Sequence, residues 1–126
     1  AAAAYNYKQA LNWLNPCDAR DYMPAETGAE RTSWDALGVG CSYEFENPDG
    51  KIVILVGGKT NEDETGEYKN GQQDGYLKSI QTGYLQLNVW VSDSGPWGDA
   101  EEKATDIAEK VSKAAELNKK QDTAEQ

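Results

Sequence analysis

Leu85, Leu87, Val89 and Val91 alternate with Gln86, Asn88 and Trp90 in the clearest two-residue period of the chain. A strand that lays one face on a core has this pattern, because successive side chains point to opposite sides. Val39, Cys41, Tyr43 and Phe45 alternate with small or polar residues in the same way, and an aliphatic run follows at residues 52–56. Between them stands Asn47-Pro48-Asp49-Gly50. Proline presets φ and glycine permits the positive values that many tight turns need, so the two segments are expected to pair as an antiparallel hairpin. Residues 76–81 supply a further strand, with a bend at Gly83, and the sheet is expected to have about four strands.

Helical spacing appears at both ends. Tyr7, Ala10, Leu11 and Leu14 recur at helical intervals, and Asn15-Pro16 resembles an N-cap followed by proline at the first helical position. A helix, a corner and a second short helix or turn are expected there, ending near Pro24. At the other end, Asp99 is followed three residues later by Glu102 in a capping-box arrangement, with both acids at the positive end of the helix dipole. Ala100, Ala104, Ile107, Ala108, Val111, Ala115 and Leu117 then share one face, which is expected to pack on the sheet as a narrow stripe.

Between these elements, residues 25–33 lack periodicity and read as a surface connection delivering Trp34 and Leu37 to the core. Residues 57–75 are rich in Gly, Asn, Asp and Glu and read as a long projecting loop, a length that in compact domains is functional or mobile. The fold class is α+β: an antiparallel sheet with N-terminal helical segments and a C-terminal helix. Residues 1–117 form one domain and residues 118–126 a polar C-terminal tail.

Composition narrows the function classes. Of 126 residues, 38% are hydrophobic and 27% charged, which suits a small folded domain. The run at residues 52–56 is far shorter than the roughly 20 apolar residues of a membrane-crossing helix, so a transmembrane segment is not expected. The formal charge of −10 repels phosphate backbones and anionic headgroups, which argues against a nucleic-acid partner. Lys119-Lys120 lies among acids and forms no polybasic anchor. Residues 1–7 lack the basic and apolar segments of an export signal, so any such signal is expected to have been removed already.

The two cysteines, Cys17 and Cys41, sit in Asn15-Pro16-Cys17-Asp18 and Gly40-Cys41-Ser42-Tyr43. Read as one disulfide, they place the domain outside the reducing cytoplasm and close a loop of about two dozen residues, stabilising the fold by roughly 3 kcal/mol. The alternative is two separate buried thiols. A metal site is disfavoured, since two thiolates without histidine need two further ligands and no CxxC spacing occurs.

Candidate chemistry is sparse. The chain contains no histidine, which removes Ser-His-Asp and Cys-His catalysis. Glu44 with Glu46, or Asp63 with Glu67, could serve a glycosidase as paired carboxylates, although solvated strand and loop acids explain them as well. Residues 61–67 resemble the front of a calcium loop with Gly66 at the sixth position, but Gln72 stands where a bidentate glutamate belongs. Gly57-Gly58-Lys59-Thr60 is a truncated phosphate loop lacking its first glycine.

Aromatic residues are better candidates for binding. Trp90 lies opposite the apolar face of its strand, so Tyr84 and Trp90 become partner anchors if that side is open. If a helix covers it, Trp90 is core of a second face. Trp97, in Ser94-Gly95-Pro96-Trp97-Gly98, either staples the start of the C-terminal helix or stands exposed.

Pro16-Cys17, Gly40-Cys41-Ser42-Tyr43, the final alternating strand over 85–91 and the alanine-rich helix over 104–111 together resemble the LppA-like lipoproteins of the actinobacterial cell envelope. Tyr43 stands where that family usually carries tryptophan. The resemblance implies an exported, lipid-tethered domain, a helix-flanked antiparallel sheet stapled by a cysteine bridge, with any lipid anchor upstream of residue 1. The expected function is therefore a noncatalytic extracytoplasmic domain, cofactor-free and metal-free. It would act as an accessory subunit or interaction module with a protein partner in a membrane-associated complex. The rival readings are a small-molecule or lipid-binding sensor with its pocket between sheet and helices, and a carboxylate-dependent glycan hydrolase.

Overall fold

The computed structural model describes residues 30–35, 38–44, 50–57, 65–81, 86–95 and 97–124. In chain order these form β1 (Glu30–Asp35), β2 (Gly38–Glu44), β3 (Lys51–Gly57), β4 (Gly66–Asn70), β5 (Gln73–Gln81), β6 (Gln86–Ser92) and helix α1 (Ala100–Ala124). The strands make one sheet in the order β1-β2-β3-β6-β5-β4, with every neighbouring pair antiparallel. Two three-stranded meanders are joined along a central seam where β3 lies against β6, Ile54 opposite Val89 and Val53 opposite Trp90. The architecture is α+β. The N-terminal helical segments, Cys17, Gly83 and Tyr84 lie outside the described residues.

The hairpin read from residues 39–56 is present, with Val39 opposite Val56 and Tyr43 opposite Ile52. The strand count is corrected from about four to six among the described residues. β1 occupies part of the segment expected as a connection, and pairs residue for residue with β2 from Glu30–Tyr43 to Asp35–Gly38. The 57–75 stretch does not simply project: β4 and the start of β5 lie within it as a hairpin, Asn70 opposite Gln73. Its two-residue turn, Gly71-Gln72, begins with a glycine at φ 64°. Glycine at the first turn position matches the twist of the flanking strands and tolerates this φ without a Cβ clash. The same strand pairing disposes of the calcium-loop reading over its described part, since residues 66–70 are extended and laddered to β5.

One face of the sheet carries the main core. Cys41 and Tyr43 of β2, Ile52, Ile54 and Val56 of β3, and Leu87, Val89 and Val91 of β6 are fully buried in one cluster with Ala104, Ile107, Ala108, Val111 and Ala115 of α1, which packs on the β5–β6 half of the sheet. Alanines on the contact stripe let the helix axis approach the sheet closely, because interaxial distance follows side-chain size. Leu117 is a correction to that stripe. It is 56% exposed, and Ala115 is the last buried residue of the stripe among the side chains described. The backbone nevertheless stays helical to Ala124, and most of the segment expected as a tail continues α1.

The start of α1 is fixed locally. Asp99 Oδ1 accepts the Glu101 N–H at 3.0 Å, and the Asp99 carbonyl accepts the Lys103 N–H at 3.0 Å. Asp99 is thus the N-cap, satisfying a donor that the first turn cannot pair internally. The N–H of Asp99 goes to the Trp97 carbonyl at 3.1 Å, the position that a full capping box would give to Glu102.

Cys41 is completely buried, and no free cysteine occurs among the described residues.

Candidate interaction surfaces

At the central strand β6 the face of the sheet away from α1 is buried as well. All seven residues of β6 are buried, those pointing away from the helix included. Trp90 is 1% exposed and packs with Val53, Leu77 and Tyr68. Its ring lies flat over β5 at Gly75, where a Cβ would come within 2.5 Å of the indole. Glycine inside a strand marks such a close approach. From there the indole N–H of Trp90 donates to the Tyr68 carbonyl of β4 at 2.8 Å. One side chain on a central strand therefore ties the edge strand to the sheet across the strand between them. As a partner anchor Trp90 is corrected: it is second-face core, and the described helix lies on the opposite side.

Beside it sits a polar cluster that the alternation did not single out. Ser79, Gln86 and Asn88 are 8%, 2% and 1% exposed. The Ser79 hydroxyl donates to Asn88 Oδ1 at 2.6 Å, and Gln86 Nε2 donates to Asn88 Oδ1 at 3.0 Å and to Ser79 Oγ at 3.3 Å. Mutual hydrogen bonding is what allows such groups inside a fold, since an unpaired buried polar group is costly. Thr65 closes the end of the β4–β5 ladder by accepting the Ser79 N–H at 3.0 Å on its hydroxyl.

Trp97 is half-buried and does staple the start of the helix. Its ring lies against Gly95, where any Cβ would overlap it, and its indole N–H donates to the Ser92 carbonyl at 2.8 Å. The Ser92 hydroxyl in turn accepts the Lys51 N–H at 2.8 Å, joining the end of β6 to the start of β3.

Open surface gathers at the β4–β5 end. A cleft of about 450 Å³ is lined by Glu67, Tyr68, Lys69, Asp74, Gly75 and Asp93. A second, of about 310 Å³, shares Glu67, Gly75 and Asp93 and reaches Asp99 and Glu101 at the helix start. Lys69 pairs with Asp74 at 3.7 Å, both side chains largely exposed. The net field of this rim is negative, so it attracts cationic groups and repels anions. Among the described residues there is no group of three or more potential metal ligands, and no helix is long and apolar enough to cross a membrane.

Of the paired acids read from the sequence, Glu44 lies 4.0 Å from Lys51 across the β2–β3 hairpin and Glu67 lies on the cleft rim. Glu46 and Asp63 lie outside the described residues. In comparisons with family models, curated proteins and solved structures, nothing matches this chain.

Proposed function

We propose that this chain is a noncatalytic module of the extracytoplasmic cell envelope, acting as an accessory subunit of a membrane-associated complex in the manner of the LppA-like lipoproteins it resembles. The observation that carries this reading is Cys41. Its side chain is fully buried in the main core cluster of the sheet, and no free cysteine occurs among the described residues. Because Cys17 is the only other cysteine of the chain, we assign a Cys17–Cys41 bridge. A persistent disulfide in a small domain belongs to an oxidising compartment. The negative rim running from β4 to the start of α1 supplies the surface on which a protein partner would dock, and a lipid anchor would precede residue 1.

Mild-detergent affinity purification of the tagged protein from its native envelope, with nonreducing mass spectrometry, tests both parts. The expected outcome is stoichiometric recovery with membrane-complex subunits, together with a mass two hydrogen atoms below that of the dithiol. Recovery of a lone disulfide-linked monomer would move the weight to ligand sensing. A free dithiol from native envelope would overturn the compartment assignment.

A further inference from the structure

The outer edge of β4 carries the information to pair with itself. The Asp93 N–H donates to the Asp74 carbonyl at 2.9 Å, which fixes the phase of the β5–β6 ladder, since hydrogen-bonded pairs alternate along antiparallel strands. Asp74, Tyr76 and Lys78 therefore turn their main-chain groups to β6, while Gln73, Gly75 and Leu77 turn theirs to β4. The Ser79 N–H, bonded to Thr65 on the β4 side, obeys the same phase. Tyr68 and Asn70, opposite Gly75 and Gln73, bond inward. The N–H and C=O groups of Glu67 and Lys69 consequently face away from the sheet, along an edge that pairs with no other described strand.

We propose that two copies of this chain associate through these edges, β4 against β4 in antiparallel register about Tyr68. In that register Glu67 of one copy and Lys69 of the other form a hydrogen-bonded pair, and the two-fold axis repeats it. Four main-chain hydrogen bonds result. Residues two apart share a face, so each Glu67 carboxylate also meets the opposite Lys69 ammonium directly across the junction, beside the Asp74 that already holds it.

The two neighbouring registers with the same phase oppose Glu67 to Glu67 or Lys69 to Lys69, and like charges directly opposite are destabilising. Charged side chains at an edge ordinarily discourage pairing with stray strands. Here they do so for both neighbouring in-phase registers and favour the one between them. The contact is isologous and closes on itself, so it yields a dimer and no fibre. It is small, and its affinity is accordingly modest. It also sets the two β4–β5 clefts side by side.

Sedimentation of the full chain across a concentration series tests this. A reversible dimer is expected, weakening as salt screens the pairs. Glu67→Lys alone and Lys69→Glu alone should each weaken dimerisation by about tenfold or more, because each turns two attractive cross-strand pairs into repulsive ones. The double exchange should return it to within about threefold of the original, since the pairs re-form with their signs reversed. Thermal unfolding of all four proteins in dilute solution, where each is monomeric, separates a folding defect from an interface defect. A chain that stays monomeric up to about 1 mM overturns the proposal, since that limit corresponds to negligible association. So does a double exchange that fails to recover dimerisation while folding normally.

Discussion

The two faces of the central strand β6 are equally dry and chemically unlike. Toward α1 it presents Leu87, Val89 and Val91, in a cluster dominated by aliphatic and alanine side chains, with Tyr43 and Tyr76 among its aromatic members. Away from α1 it presents Gln86, Asn88 and Trp90, buried to the same degree but held by hydrogen bonds to Ser79 and to the Tyr68 carbonyl. The first face is stabilised by area removed from water, a non-directional term. The second depends on donors and acceptors meeting in one geometry, so it specifies where β5 and β4 must lie and tolerates displacement poorly.

The largest effect that would break this contrast lies on the aliphatic side. Leu87→Ala leaves a cavity between sheet and helix and should cost about 2–5 kcal/mol of unfolding free energy by chemical denaturation. One position along, Asn88→Ala removes the acceptor of the Ser79 hydroxyl and one acceptor of Gln86. Stranding buried donors should cost about 1–3 kcal/mol in the same experiment. A loss under 0.5 kcal/mol would mean that water reaches this face freely, an upper bound that surface substitutions keep to. The smallest and most local effect is expected from Trp90→Phe, which keeps most of the ring but deletes the indole N–H. It should cost about 1 kcal/mol globally and accelerate hydrogen exchange at the Tyr68 and Asn70 amides of β4 more than in β2 or β3.

Much of the aliphatic side was legible in the sequence because its two partners keep their own periods. The alternation through Val91 and the stripe from Ala100 to Ala115 each point to one buried face, and those faces meet. Leu117 misled because periodicity says nothing about where the sheet ends beneath a helix. The β4–β5 hairpin was hidden by its composition. Glu67-Tyr68-Lys69 alternates around an aromatic instead of aliphatic residues, and glycines at 66, 71 and 75 make the stretch read as loop.

One of those glycines held the signal for Trp90. A glycine in the interior of a strand, at Gly75, marks where a large ring crosses from a neighbour, and reading it so would have placed Trp90 inside. Without that pairing, an aromatic residue among Gln86 and Asn88 reads either as an exposed anchor or as second-face core. The acidic rim was not legible at all, since Glu67, Asp93 and Glu101 lie on three separate elements and converge only once the sheet and helix are assembled.

The seam between β3 and β6 also sets the order in which the sheet can be built. Within each meander, strands are joined by short connections, so their ends meet at little entropic cost. Ile52 reaches Val91 only after the whole intervening chain has been gathered in. Closing a long loop must precede the contacts that reward it, and non-local pairing of this kind slows folding. Two locally closed halves docking along one line therefore make Val53, Ile54, Val89 and Trp90 the residues on which the speed of folding turns.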